Sequence, residues 1–560
     1  MRPVFYCARE WLILFSPLMG TLAQTETFRK PSKYARFIAN ADFVSALVVA
    51  AGFLLRLRIA SRTFLNADEA LHFMAANQPS WKLTYHASLT ISHPPLLIFV
   101  LHVWRALGTS ELILRLPCVL AGTAFCWIFY NWVSVLFGPA TGLLATIFTA
   151  FAPPMISLSA EVRQYAFLLF FVVSTLYLLE RALAENSPLE MFAASLCLSL
   201  AILSHYSAVL LAPALAVYII LRMVARPPSR TVIAIWITGQ LLAVGVCLLL
   251  YFTYLAAFGG RITHNWMEIY LPNSYFDPAK HNALAFILER TISIFQFSLG
   301  QPALGDLMFL ILLVAIVATF RKRGQTRQIS SLQLTALFLL PFVITCAAAL
   351  FGRYPYGGTR HCVFLTIFVF AALAAALWRL TQGSPWVGAG IAVAVVIAAN
   401  VFAAHRFPYI APEDQSRAHM REAIAFIQQQ VPTTDVLFTD SQSSLLLGHY
   451  LCEQQPFFID VWTTGLKNLY CGGHHIVATD GRVFVFDANN FPAAWNDMTR
   501  ESGLKRGDSV WVVEAGWVWQ KPLVTQLQQR NPSPRELNVH SFGHNITMFQ
   551  LRLGELQSTQ

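Results

Sequence analysis

The sequence predicts an α-helical polytopic membrane protein, with about eleven transmembrane helices and a C-terminal soluble α/β domain. Three observations carry this. The 560-residue chain is 56% hydrophobic and 12% charged, about half the charged share of soluble domains. Apolar runs approaching the roughly 20 residues that cross a bilayer recur through the first two thirds of the chain. From about Ala411 charged residues and Gln return and the apolar runs shorten.

The predicted spans, in order, are Phe43–Leu57, Leu116–Val135, Ala140–Ile156, Tyr165–Leu179, Met191–Leu203, Ala208–Leu221, Val232–Phe258, Leu304–Phe320, Leu334–Phe351, Val363–Trp378 and Trp386–Ala404. Pro95–Leu107 and Ala283–Phe297 are shorter or more polar and read as helices lying in the interface. Residues 1–40 read as a cytoplasmic N-terminal segment, whose apolar patch Trp11–Leu18 is too short to span. Residues 41–405 form the multispanning domain, and residues 411–560 an extracytoplasmic α/β domain.

Charge sets the orientation. The net charge is +10, and in a multispanning chain basic residues collect in cytoplasmic loops. Arg29, Lys30, Lys33 and Arg36, then Arg222, Arg226 and Arg230, then Arg321, Lys322, Arg323 and Arg327 all fall on one face. That face should be the cytoplasm, so the basic balance needs no nucleic-acid partner. The opposite face receives the Arg62–Pro94 loop, the Ser157–Gln164 and Ser204–Ser207 turns, the Gly259–Asn282 and Gly352–His361 loops, and the tail.

In the tail, Arg421–Gln430 reads as an amphipathic helix, Asp435–Asp440 as a strand and Ser443–Leu451 as a helix. Further strands are expected at Val483–Asp487 and Val510–Glu514, and a helix near Val524–Arg530. Strands alternating with helices predict a partly parallel sheet. The nine cysteines include no CxxC pair; Cys118, Cys126, Cys197, Cys247 and Cys346 lie in apolar runs and serve as small hydrophobes. Cys452 and Cys471 fall on the face expected to be oxidising, either as a disulfide or as two separate thiols.

Polar residues suited to chemistry gather in the outer connections. Asp68 and Glu69 follow the first span, where ionisable groups are costly. On a helix Asp68 and His72 lie one turn apart. They could share a proton, bind a metal, or fix one another, or Asp68 could be the N-cap of a solvated loop helix. His93-Pro94-Pro95 is a stiff helix entry with a histidine that geometry does not require. Glu161 and Arg163-Gln164-Tyr165 put a guanidinium at the mouth of a span, either snorkelling or gripping phosphate oxygens. His205-Tyr206 closes the fifth span. Arg353, Arg360 and His361 share a short loop with Gly357-Gly358, whose cations and backbone NH groups suit a phosphate headgroup or simply make a turn.

Together these motifs resemble the GT-C superfamily of lipid-dependent glycosyltransferases, in its protein O-mannosyltransferase and aminoarabinose-transferase branch (glycosyltransferase family 39 type). The resemblance runs from Phe43 to Ala404. It rests on Asp68-Glu69 with His72-Phe73 following, on His93-Pro94-Pro95, and on Arg163-Gln164-Tyr165. It implies a polyprenyl-phosphate-linked sugar as donor and an acceptor hydroxyl on protein, lipid or glycan. Asp68 would be the catalytic base. Glu69, His72 and His93 would orient acceptor or donor. Arg163, Tyr165, Arg360 and Arg353 would hold the donor phosphate, with Glu161, His205, Tyr206 and His361 as further site candidates. The implied setting is a bacterial plasma membrane with the site on the outer face. No cofactor is expected: Asp68, Glu69 and His72 offer metal ligands, but nothing fixes a third or fourth group. A transporter or flippase is the competing class. It is disfavoured because the chain shows no internal repeat and few charges at mid-span.

Overall fold

The computed structural model describes residues 33–91, 93–256, 270–321, 329–403, 415–452, 465–505, 507–517, 521–529 and 537–553. The patch Trp11–Leu18, with Arg29, Lys30, Lys322, Arg323 and Arg327, lies outside them.

Helix α1 (Lys33–Arg62) leads into three short helices, α2 (Ala67–Ala76), α3 (Trp81–Ser88) and α4 (Leu96–Trp104), and these into the long α5 (Glu111–Phe137). Then follow α6 (Pro139–Phe151), α7 (Pro153–Ser159), α8 (Tyr165–Glu185), α9 (Pro188–Ser204), α10 (Ser207–Ala225) and α11 (Arg230–Leu250). The series closes with α12 (Ala283–Leu299), α13 (Pro302–Arg321), α14 (Ser331–Leu350), α15 (Leu365–Leu380) and α16 (Pro385–Ala403).

Over the described residues the eleven predicted spans fall on helices, the third of them on two. Among the described residues, seven helices are long and apolar enough to cross a membrane, and nine if each bent pair counts as one span. The helices α9 and α15 are shorter than that. Much of α15 is sealed in the protein core, with Phe368 and Phe370 packed on Trp132 and Phe148, so its length need not match the hydrocarbon thickness. The third predicted span is broken: α6 and α7 meet at 61°. Pro153 and Pro154 supply no NH for the turn before them, which frees carbonyls at the end of α6. The buried Arg56 of α1 takes these up, donating to Ala150 O at 2.9 Å and Thr149 O at 2.8 Å.

The expected interfacial segments are α4 and α12, and α12 turns by 114° into α13. At one end of the bundle Gln333 Nε2 donates to Leu221 O at 3.0 Å. The start of α14 thus meets the end of α10, where the Arg222–Arg230 connection begins. The candidate site residues lie at the other end.

The tail comprises α17 (Arg417–Gln430), β1 (Val436–Thr439), α18 (Ser441–Tyr450), β2 (Lys467–Cys471), β3 (His474–Ala478), α19 (Phe491–Glu501), β4 (Ser509–Ala515), α20 (Leu523–Gln528), β5 (Asn538–Ser541) and β6 (Ile546–Arg552). The six strands are ordered β2-β3-β1-β4-β6-β5, with β1 parallel to β3 and β4. Alternation along each strand sends Leu437, Ile476 and Val513 to α17, α18 and α2, and Phe438, Val477 and Val512 to α19 and α20. The partly parallel sheet is as predicted. The strand expected at Val483–Asp487 is instead a loop, because Phe486 N donates to the Asp440 carboxylate at 3.0 Å rather than to a neighbouring strand. Strands β2, β3, β5 and β6 and helix α19 were not predicted. Cys452 and Cys471 form a disulfide, Cα atoms 4.8 Å apart.

Tail and bundle are joined at the first loop. Phe64 N donates to Gln415 O at 3.0 Å, and Leu65 N donates to the Tyr450 hydroxyl at 2.8 Å. Arg417 pairs with Glu111 at 3.0 Å.

Candidate active site

Helix α2 begins with a reciprocal cap. Glu69 N donates to Asn66 Oδ1 at 3.0 Å, and Asn66 N to Glu69 Oε2 at 2.9 Å. Asn66 is therefore the N-cap, and Asp68 is not, which frees the Asp68 carboxylate.

Side chains of adjacent helical residues diverge by about 100°, and here the two acids part. Asp68 meets Arg163 Nη1 at 2.6 Å and Arg360 Nη2 at 3.1 Å. Burial pushes its carboxyl up, but the Arg163 and Arg360 guanidiniums outweigh burial and hold it below the ordinary value. Glu69 turns inward and is fully buried. Arg115 Nε donates to its Oε1 at 2.7 Å and Arg115 Nη2 to its Oε2 at 2.6 Å, while Val162 N donates to Oε1 at 2.7 Å. Arg115 also donates to Thr63 O and Phe64 O, both at 2.8 Å. The pair thus fastens α1, α5 and the turn carrying Arg163. Both Glu69 oxygens are committed inside the protein, where the pair braces the loop rather than facing the cluster that was expected to orient acceptor or donor.

His72 Nδ1 donates to Asp68 O at 2.7 Å, which leaves Nε2 as the lone-pair nitrogen of a neutral ring. Burial and the Arg163 charge lower its pKa to about 4. From His72 a row of imidazoles runs across the site. Centroid distances are 5.6 Å from His72 to His93, 6.4 Å from His93 to His205 and 5.9 Å from His205 to His361. Burial and the same guanidinium hold His93 well below the usual histidine value, and push His205 down to about 3. Buried His72 Nε2 and His93 Nδ1 have no hydrogen-bond partner among the described residues, so polar capacity is left for a ligand. Across the described residues no three His, Cys, Asp or Glu side chains group as metal ligands.

Tyr165 lies beneath both cations, with Arg163 at 5.6 Å and Arg360 at 6.0 Å from its ring centroid. Glu161 accepts from Ser157 Oγ at 3.2 Å. Burial first, and then the Glu69 charge, raise its pKa to about 7. Asp68, His72, His93, Glu161, Arg163, Tyr165, His205, Arg360 and His361 are thus brought to one place. Besides Glu69, two candidates are not. Arg353 is exposed, because the chain reverses at Gly352 and turns it from the cluster. Tyr206 packs against the main core. The Gly358 NH serves the fold as well: it donates to Ser293 Oγ at 2.8 Å, and a Cβ at Gly358 would collide with Ser293 O.

Sequence reasoning missed Arg115, Tyr270 and Tyr450. Arg115, inside an apolar helix, carried a readable signal, since a charge there needs a partner. Tyr270, 5.8 Å from Arg360, and Tyr450, in the distant tail, carried none.

Residues 92–252, under a third of the chain, match the model of a family described as dolichyl-phosphate-mannose-protein mannosyltransferase. The structure is similar to that of ArnT from Cupriavidus metallidurans bound to undecaprenyl phosphate. The TM-score is 0.51 at 14% identity, over 90% of this chain and 97% of that one. Apo ArnT from the same organism gives a TM-score of 0.50 at 14% identity, over 91% and 98%. No curated protein sequence matches significantly.

Proposed function

We propose that this membrane protein of the GT-C glycosyltransferase type moves a sugar from a polyprenyl-phosphate donor to an acceptor hydroxyl, inverting the anomeric carbon. The observation that carries the proposal is one carboxylate, Asp68, held between two buried guanidiniums, Arg163 and Arg360. The acceptor O–H gives its proton to Asp68 while its oxygen bonds to the anomeric carbon. The bond from that carbon to the phosphate oxygen breaks, and its electron pair leaves on the lipid phosphate. The leaving group is already stable as an anion, so it needs charge stabilisation rather than protonation. Arginine suits this, as its planar fork matches phosphate oxygens. Phosphate and Asp68 share the same cations, so donor entry would loosen the Asp68 pairs and raise its basicity.

A lipid phosphate donor is supported by the undecaprenyl phosphate named with ArnT. An outer-face site in a bacterial plasma membrane is supported by the Cys452–Cys471 disulfide, because the tail that holds it packs on the Asp68 loop and disulfides persist in oxidising compartments. No metal is part of the proposal: Arg163 and Arg360 supply the positive charge, and the imidazoles stack rather than converge. The test is purified protein with a series of polyprenyl-phosphate sugars, scored for free polyprenyl phosphate with and without EDTA. Acceptor-dependent release that persists in EDTA is expected. No release from any donor would overturn the transfer reaction, and loss of release in EDTA would overturn its independence of metal.

A further inference from the structure

At the carboxyl edge of the tail sheet lies a cleft of about 320 Å³, within the usual range of small-molecule sites. Its place follows from the winding of the chain. After β1 the chain passes into α18 on one face of the sheet, whereas after β3 and β4 it passes into α19 and α20 on the other. The connections part at the end of β1 and leave a crevice there. In open α/β sheets this is where ligands bind.

The walls have a definite chemistry. Trp517 and Phe484 flank the cleft, ring centroids 6.3 Å apart. Trp517 is held in place through its backbone: Gln442 Nε2 donates to Trp517 O at 2.9 Å, and Trp517 N donates to Gln442 Oε1 at 3.1 Å. The carboxyl of Glu514 and the amide of Asn545 line it as well. Glu514 accepts from Leu523 N at 3.0 Å, and burial, followed by the Asp440 charge, raises its pKa to about 8, toward the uncharged form. The cations are at the margin. Lys521 is exposed, and the Arg482 guanidinium is committed to Asp480 at 2.6 Å.

We propose that this cleft is a carbohydrate-binding site. An aromatic face covers the C–H surface of a pyranose ring, while mixed donors and acceptors satisfy its hydroxyls. A phosphate would want cations on the inner wall; the lining supplies the carboxyls of Asp487 and Glu514 instead, with its cations at the margin. The cleft opens at the start of α18, and α18 ends at Tyr450 on the Asp68 loop. Ten residues of helix separate the two, a distance of roughly 15 Å. Binding here goes beyond the transfer reaction and requires no turnover.

The experiment is equilibrium binding of mannotetraose, cellotetraose and chitotetraose to the purified full chain in detergent, with inorganic phosphate as competitor. Saturable binding of at least one saccharide is expected, weakened about tenfold by Trp517→Ala through loss of ring stacking. Asn545→Ala should weaken it several-fold. It decides the matter if Trp517→Ala does not fold. Three results would overturn the proposal: no saccharide bound, binding indifferent to both cleft variants, or saccharide displaced by phosphate.

Discussion

Glu69 gives both its carboxylate oxygens to Arg115, at 2.7 and 2.6 Å, while Asp68, one residue earlier, faces the site and pairs with Arg163 and Arg360. Substituting each acid should therefore cause a different kind of damage. Asp68→Asn should fold normally and lower turnover by about 10²–10⁴, the usual contribution of a general base. Glu69→Gln leaves Arg115 buried without its counter-charge and should lose about 3–5 kcal/mol of stability. Thermal unfolding and single-turnover rates on both variants check this. Full turnover in Asp68→Asn would reassign the base.

Arg163 should act on the donor phosphate. Arg163→Ala should lower kcat/KM by about 10²–10³, the loss typical of one oxyanion donor. Arg163→Lys should recover only part of it, because an ammonium cannot reproduce the paired geometry. Kinetics against donor concentration decide. Undiminished activity in Arg163→Ala would leave the phosphate to Arg360.

The tail should lose stability as pH rises. Glu514 has its pKa raised from 4.5 to about 8, mainly by burial. Between those values the folded state holds a proton that the unfolded state has released. The stabilisation is complete below about pH 4.5 and is lost as pH climbs to about 8, by up to roughly 1.4 kcal/mol per unit. Asp440, raised to about 7 by burial, adds in the same direction. Glu514→Gln should flatten the slope between pH 6 and 8 in thermal unfolding. An unchanged slope would refute the assignment.

The disulfide and the direction of insertion can be tested together. Cys452 and Cys471 are separated by 19 positions, and closing a loop of that size is worth about 3 kcal/mol. Cys452→Ser with Cys471→Ser should destabilise the tail by that order. In intact cells the two thiols should resist alkylation until reduced. A reporter fused to the tail that works only in the cytoplasm would contradict the proposed outer face.

The primary sequence by itself determined the layout of helices. Spanning a bilayer demands long apolar runs, and that demand is local, so among the described residues the predicted spans lie on helices, although the break at Pro153 within the third was not foreseen. It also determined most of the cluster, because charged residues at the ends of apolar helices are costly and stand out: Asp68, Arg163 and Arg360 were visible in this way. What only the tertiary structure decided was direction and partnership. Whether Asp68 or Glu69 faces the site depends on Arg115, which lies 46 residues beyond Glu69. Arg353 and Arg360 look equivalent in one loop, yet the reversal at Gly352 exposes one, and the short helical turn Arg360–Cys362 carries the other inward. The apolar pattern of Val483–Asp487 is that of a strand, but its backbone went to the Asp440 carboxylate rather than to a neighbour. For Glu69 and for Val483–Asp487 the deciding interaction joins residues 46 positions apart in the chain, and local pattern carries no record of such pairs.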